Sequence, residues 1–170
     1  MLDGEDLPEN DGTETYNHPT YIKLSCDMAK REKRNKSRGS TGNNRKSSED
    51  FLIKNSKKDG IVSTISGLQY KVIEEGNGDY PPENCTVIVH QRCTLLNGKV
   101  IEDTYKDNEP DEVPIGELIE GYREGLLLMK KGGKSRFFIP PELAWGKKGT
   151  GNKIPPNALL IFEVKLVDFW

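Results

Sequence analysis

Cysteine is scarce in this chain of 170 residues, and the three present, Cys26, Cys85 and Cys93, are odd in number and unrelated in spacing. That pattern excludes a disulfide framework and gives no metal-ligand cluster, so neither a metal nor a cofactor is expected. A reducing compartment, the cytoplasm, is the expected location. No apolar run approaches the roughly 18 residues that crossing a bilayer takes. The first residues, MLDGEDLPENDGTETY, have no basic segment followed by an apolar one, so no signal peptide or membrane association is expected. Aromatic residues make up only 8% of the chain, and none interleaves with the Lys and Arg of residues 29–38. Base stacking is therefore not indicated there.

Apolar residues are few, at 34% against 31% charged, and the mean hydropathy is −0.71. A chain this polar builds one compact core only by concentrating its apolar residues, and they concentrate after about residue 61. The net charge of −2 conceals two opposed segments: residues 1–20 hold six acids and no Lys or Arg, whereas 21–58 hold twelve bases and four acids. Residues 1–46 thus read as an acidic tip and a basic flexible arm, disordered or partly helical, with GSTGNN at 39–44 as a linker and no stable tertiary contact up to residue 45. Such an arm can touch RNA or a ribosome weakly, by charge alone. The plainer reading is a solubilising tail.

Residues 47–62 read as a short helix or linker. Ser47 and Ser48 offer an N-cap, Glu49 and Asp50 follow in the first turn, and Lys57 to Gly60 form the stop. From Gly67 the period changes to two. LQYKVI at 68–73 and VIVHQRCT at 87–94 predict strands, the second with Val87, Val89, Gln91 and Cys93 on one face. Asn97-Gly98 between apolar runs predicts a hairpin with a type I′ turn, and Ile101 and Glu102 fall on the returning strand.

Between Gly116 and Gly132 the residues Ile119, Tyr122, Leu126 and Met129 share one helical stripe. Phe137 to Leu166 then contains two strand-like runs flanking a Gly/Pro/Lys loop that carries Leu143, Ala144, Trp145 and Ile154. Apolar side chains on such a loop mark either the lip of a pocket or plugs packed on the sheet. The expected fold is α+β: an antiparallel β-sheet of about five strands wrapped around one short α-helix over residues 63–170.

Five segments appear in order over more than a hundred positions: GLQYKVI at 67–73, VIVH at 87–90, NGKVIEDTYK at 97–106, EGLLLMKKGGKSRFFIPPELAWGKKG at 124–149 and IPPNALLIFEVKL at 154–166. Together they resemble the FKBP-type peptidyl-prolyl cis/trans isomerases, and most of all the bacterial macrophage-infectivity-potentiator-like subgroup. The resemblance covers residues 47–170, and residues 1–46 add nothing to it. The long apolar dimerisation module of that subgroup is not recognisable, which points to a monomer.

The resemblance implies an FKBP-like fold, proline-containing polypeptides as substrates, and an apolar cup that macrolide inhibitors also fill. Carried over by position, it puts Tyr122 at the floor in place of Trp and Phe162 at the deep wall. Ile119 stands where a backbone N–H binds substrate, with Leu118 beside it; Trp145 replaces a Tyr hydroxyl donor, Glu102 replaces an Asp, and Ile154 lines the loop side. Gln91, Ile101 and Asp111 stand where the family keeps aromatic walls, implying a more polar pocket. Two functions follow: an isomerase, or a weakly catalytic binding module or chaperone for proline segments. Core packing alone also accounts for Tyr122 and Phe162. His90 is expected to be structural, and adjacent Glu102 and Asp103 are expected to point to opposite faces of their strand.

Overall fold

The computed structural model describes residues 40–151 and 153–170. In chain order these form α1 (Ser40–Asn55), β1 (Val62–Ser63), β2 (Gln69–Glu74), β3 (Thr86–Leu95), β4 (Val100–Asp103), β5 (Asp111–Pro114), α2 (Glu120–Leu127), β6 (Lys134–Ile139) and β7 (Leu160–Phe169). All pairings in the sheet are antiparallel, in the order β1-β2-β6-β7-β3-β4, and β5 also pairs with β3. The α+β architecture read from the sequence is therefore present, with seven strands. Period two holds along β3: Val87, Val89, Gln91, Cys93 and Leu95 are buried, while the residues between them are partly or fully exposed.

The helix α2 lies on the inner face of the sheet because two of its residues have no side chain. A methyl group added at Gly121 would stand 2.5 Å from Ile139 Cγ2, and one at Gly125 would stand 2.9 Å from the Phe137 ring. Both contacts are with β6, so the helix and β6 approach through the glycine face. Tyr122 and Leu126, the neighbours of those glycines, are buried with the sheet residues Phe137, Phe162 and Val164. The helix is shorter than its apolar stripe suggests. Ile119 is its N-cap, and Met129 is buried beyond its C-cap at Leu128.

Two local readings are corrected. The Asn97-Gly98 hairpin is not type I′, because only Gly98 has a positive φ, at 81°. Gly98 N–H donates to Leu95 O at 2.9 Å and Leu95 N–H donates to Lys99 O at 2.9 Å, a type I turn closed by a left-handed glycine. A separate register shift falls between Cys93 and Thr94, with Ile101 the extra residue on β4.

The second correction concerns α1. It begins at Ser40, runs through the segment read as a linker, and crosses residues 46 and 47 without a break. Ser48 is not a cap. It is 1% exposed, its hydroxyl donates to Asn157 O at 3.0 Å and accepts from Leu159 N–H at 3.2 Å. Asn44 donates to Pro156 O at 3.1 Å, so residue 44 has a tertiary contact where none was expected. At the other end Asn55 donates to Gln69 Oε1, Gln69 donates to Leu52 O, and Phe51 packs on Phe138 with ring centroids 5.7 Å apart. Docking on the sheet and loop outweighs the poor helix propensity of Ser-Thr-Gly-Asn-Asn. The acidic tip and the Lys/Arg-rich residues 29–38 lie outside the described residues.

Gly125→Ala is expected to lower unfolding stability by about 1–3 kcal/mol through overpacking against Phe137. Urea denaturation checks this; an unchanged midpoint would show that α2 tolerates a wider separation from β6.

Candidate functional site

The inner face of the sheet, α2 and the long loop between β6 and β7 enclose one cup of about 50 Å³. Its lining contains Gln91, Ile101, Glu102, Asp111, Leu118, Ile119, Tyr122, Trp145, Ile154 and Phe162, so all ten candidate site residues converge there. They come from β3, β4, β5, α2 and its approach, β7, and both halves of the loop. Cys93 and Val113 complete the lining. Sequence reasoning put Cys93 on the face of Gln91 without assigning it to the site and passed over Val113, although period two gives the signal: each stands two residues beyond a named wall position on the same strand.

The floor is aromatic. Tyr122 stacks on Phe162 with centroids 4.5 Å apart and planes at 17°, while Phe137 meets Tyr122 edge-on at 6.1 Å. Tyr122 sits there because it lies in the first turn of α2, next to Gly121, where its ring meets Phe162 of β7. The loop side is closed by Trp145 and Ile154. Ile154 is buried and bridges back to Thr150, whose N–H donates to Ile154 O at 2.8 Å, and Asn157 N–H donates across to Gly146 O at 2.8 Å. Ser48 and Asn44 of α1 then hold the loop's far end.

The rim at α2 presents backbone donors. Tyr122 and Arg123 N–H both donate to Ile119 O at 3.0 Å, which leaves the amides of Ile119, Glu120 and Gly121 with no acceptor within the helix. Ile119 is the one whose side chain also lines the cup.

The opposite wall is polar. Gln91 Nε2 donates to Asp111 Oδ2 at 2.8 Å and to Glu102 Oε2 at 3.2 Å, so one amide spans the two carboxylates. Burial pushes the Glu102 carboxyl up to about 7, the neighbouring Asp111 adds to the shift, and Lys153 opposes it. Burial, then the negative charge of Glu102 and Asp111, raises the Tyr122 hydroxyl well above its ordinary value. Burial and Glu102 likewise raise the Cys93 thiol. Both therefore stay protonated at neutral pH, and neither is a ready nucleophile.

His90 faces away from the cup, with Nδ1 3.3 Å from Thr104 Oγ1 and its ring stacked on Tyr105 at 5.3 Å. Asp103 pairs with Arg92 at 3.5 Å on the face opposite Glu102. Pleating separates the two adjacent acids, as the alternation predicts.

Because the Glu102 carboxyl rises above its unfolded value, the folded state holds a proton that the unfolded state has lost between about pH 4.5 and 7. Its contribution is therefore fully present below pH 4.5 and lost as pH rises through about 7. Glu102→Gln should gain roughly 1–3 kcal/mol on the wild type between pH 5 and pH 8. Urea midpoints at the two pH values read this, and parallel profiles for both proteins would contradict it.

Comparison with known proteins ties this geometry to a family. Residues 78–167 match FKBP-type peptidyl-prolyl cis-trans isomerase, and residues 11–72 match the domain amino terminal to FKBP-type peptidyl-prolyl isomerase. The second match corrects the reading that residues before 47 carry no resemblance. The chain is 41% identical over 124 residues to the probable FKBP-type peptidyl-prolyl cis-trans isomerase FkpA of Neisseria meningitidis, covering 73% of this chain and 46% of that one. Against the peptidyl-prolyl cis-trans isomerase Mip of Coxiella burnetii the identity is 38% over 125 residues, 74% of this chain and 54% of that one. The crystal structure of FkpA from Escherichia coli superposes with a TM-score of 0.73 at 39% identity, covering 76% of this chain and 60% of the other. The chain thus spans about half the length of the curated relatives it matches.

Proposed function

The chain belongs to the FKBP-type peptidyl-prolyl cis-trans isomerases, and from that premise we propose that it accelerates Xaa-Pro rotation in polypeptides within the cup over Tyr122 and Phe162. The observation that carries the proposal is the stacked aromatic floor lying beside the donor-rich N-terminus of α2. Rotation about an Xaa-Pro bond passes a barrier of about 18–20 kcal/mol because it interrupts amide resonance. No covalent intermediate is required. At the transition state the imide is twisted and its C–N bond has lost double-bond character.

A floor of aromatic rings accepts the pyrrolidine ring and excludes water from it. The Ile119 amide fixes the chain by binding a substrate carbonyl outside the cup, so rotation is confined to the bond that lies within. Desolvation disfavours the more polar planar imide relative to the twisted one, and catalysis follows from this difference in binding. Trp145 encloses the loop side, where its indole N–H can donate to the substrate. The polar wall of Gln91, Glu102 and Asp111 offers less apolar contact than aromatic walls would. Turnover of uncharged peptides is accordingly weak in this reading, and macrolide affinity is poor.

The same proposal assigns the protein to protein folding as an isomerase with chaperone character, acting as a monomer. Placement in the cytoplasm draws its support from Cys85 and Cys93, which are buried and unlinked. Weak contact of the basic arm with RNA or a ribosome rests on charge alone. No helix among the described residues is long and apolar enough to cross a membrane.

NMR exchange measurements on short Xaa-Pro peptides test the activity. Phe162→Ala should reduce kcat/KM at least about tenfold while also lowering stability by about 3–5 kcal/mol, so both are measured. Trp145→Phe keeps the bulk and removes the N–H, and unchanged kinetics would remove Trp145 from a donor role. The triple variant Gln91→Tyr, Ile101→Phe, Asp111→Phe should raise both peptide turnover and macrolide binding, since each restored ring adds roughly 1.5–3 kcal/mol of burial. A wild-type protein that binds Xaa-Pro peptides without accelerating exchange would be a binding module instead.

A further inference from the structure

The floor of the cup suits any proline, but one wall carries chemistry that a proline ring does not use. Gln91 is 6% exposed, and its Oε1 has no hydrogen-bond partner, because its amide nitrogen is the end engaged with Glu102 and Asp111. Tyr122 is 3% exposed, and its hydroxyl is also without a partner. Both groups line the same cup as the two half-buried carboxylates. A buried polar atom without a partner is costly, and two at one site call for a ligand that satisfies them.

The acceptor inventory decides which ligand. Two carboxylates and the Gln91 carbonyl are acceptors, the Tyr122 hydroxyl is amphoteric, and the Gln91 amide donors are already directed at the acids. A lysine ammonium or an arginine guanidinium supplies several donors and no acceptor, and its charge is opposite to that of the wall. An acidic side chain would meet like charge, and an aliphatic one would leave the acceptors unsatisfied.

Resting on the isomerase reading of the cup, we propose that this site selects proline segments with a lysine or arginine adjacent to the proline, the cationic head group seated on Glu102, Asp111 and Gln91 Oε1. The groups facing Glu102 are Gln91 and Cys93 from β3, Asp111 from β5, Tyr122 from α2 and Lys153 from the loop. Lys153, exposed on the loop, is the cation among these groups, and it competes with the incoming one. Near neutral pH Glu102 is only partly ionised, so seating a cation expels its proton and selection strengthens as pH rises through about 7.

The test uses peptides with Lys, Arg, Leu or Glu on either side of proline, and a control with Lys three residues away. Exchange NMR gives kcat/KM, and chemical-shift titration gives Kd, at pH 6 and pH 8. At pH 8 the adjacent Lys and Arg peptides should exceed the Leu peptide about tenfold in both quantities, and the remote-Lys control should match Leu. At pH 6 the advantage should shrink. The Lys-to-Leu ratio should fall toward one in Glu102→Gln/Asp111→Asn and rise in Lys153→Gln, a surface change that keeps the proposal testable if the double variant fails to fold. Equal Lys and Leu peptides, a remote Lys as effective as an adjacent one, or a ratio untouched by both variants would overturn it. If no peptide exchanges faster but adjacent-Lys peptides bind selectively, the isomerase reading fails and the basic selectivity stands. Exchange of Leu peptides without basic preference leaves the isomerase reading and removes the selectivity.

Discussion

The close approach of α2 to β6 is the constraint on which the remaining geometry depends. Gly121 and Gly125 let a helix of only 8 residues lie directly on the sheet, and that depth determines where Tyr122 sits. With Tyr122 at that depth its ring reaches Phe162 and stacks on it. The Ile119 amide is brought to the rim by the same seating, since Ile119 caps the same helix. Floor and rim therefore share one cause. A larger residue at either glycine acts on both through the Phe137 and Ile139 side chains, and neither sheet residue has room to yield, both being fully buried.

The cup is made of two unlike halves. Aromatic stacking supplies a dry surface on one side, and across it an amide holds two acids together at 2.8 and 3.2 Å. The dry half makes the polar half more acid-sensitive, because burial is the first cause of the rise at Glu102, ahead of its neighbour Asp111. Polarity at that wall is consequently not a passive substitution for lost rings. It places two carboxylates, Glu102 and Asp111, in the lining of the same cup as the aromatic floor.

The fold and the membership of the cup were both legible in the sequence, for different reasons. Period two along residues 87–94 reports burial directly, since a strand's faces alternate, and the structure buries Val87, Val89, Gln91 and Cys93. The order of the segments from Gly67 to Leu166 carried the rest: it brought in Asp111, which no local pattern marks, and decided between lip and plug for Ile154, already conspicuous as an apolar residue on a Gly/Pro/Lys loop. Three things were not legible. The start of α1 at Ser40 depends on contacts with Asn157, Leu159 and Pro156 more than a hundred positions away, and local propensity points the other way. The turn at Asn97-Gly98 was read from the dipeptide, whereas its central residues are Leu96 and Asn97, with Gly98 closing it at positive φ. The bridging amide of Gln91 emerges only when three strands are placed side by side.

The bonds made by Ser48 join residues 109 and 111 positions apart. Contacts that distant close long loops, and the entropic cost of closure grows only slowly with their length. The wall bearing Ile154 is completed from outside the sheet, by a helix at the start of the described residues that anchors a loop near their end. The floor of the cup takes its rings from α2 and β7, whereas the loop above it takes its anchor from α1. One side of the pocket thus depends on a segment that contributes no residue to its lining.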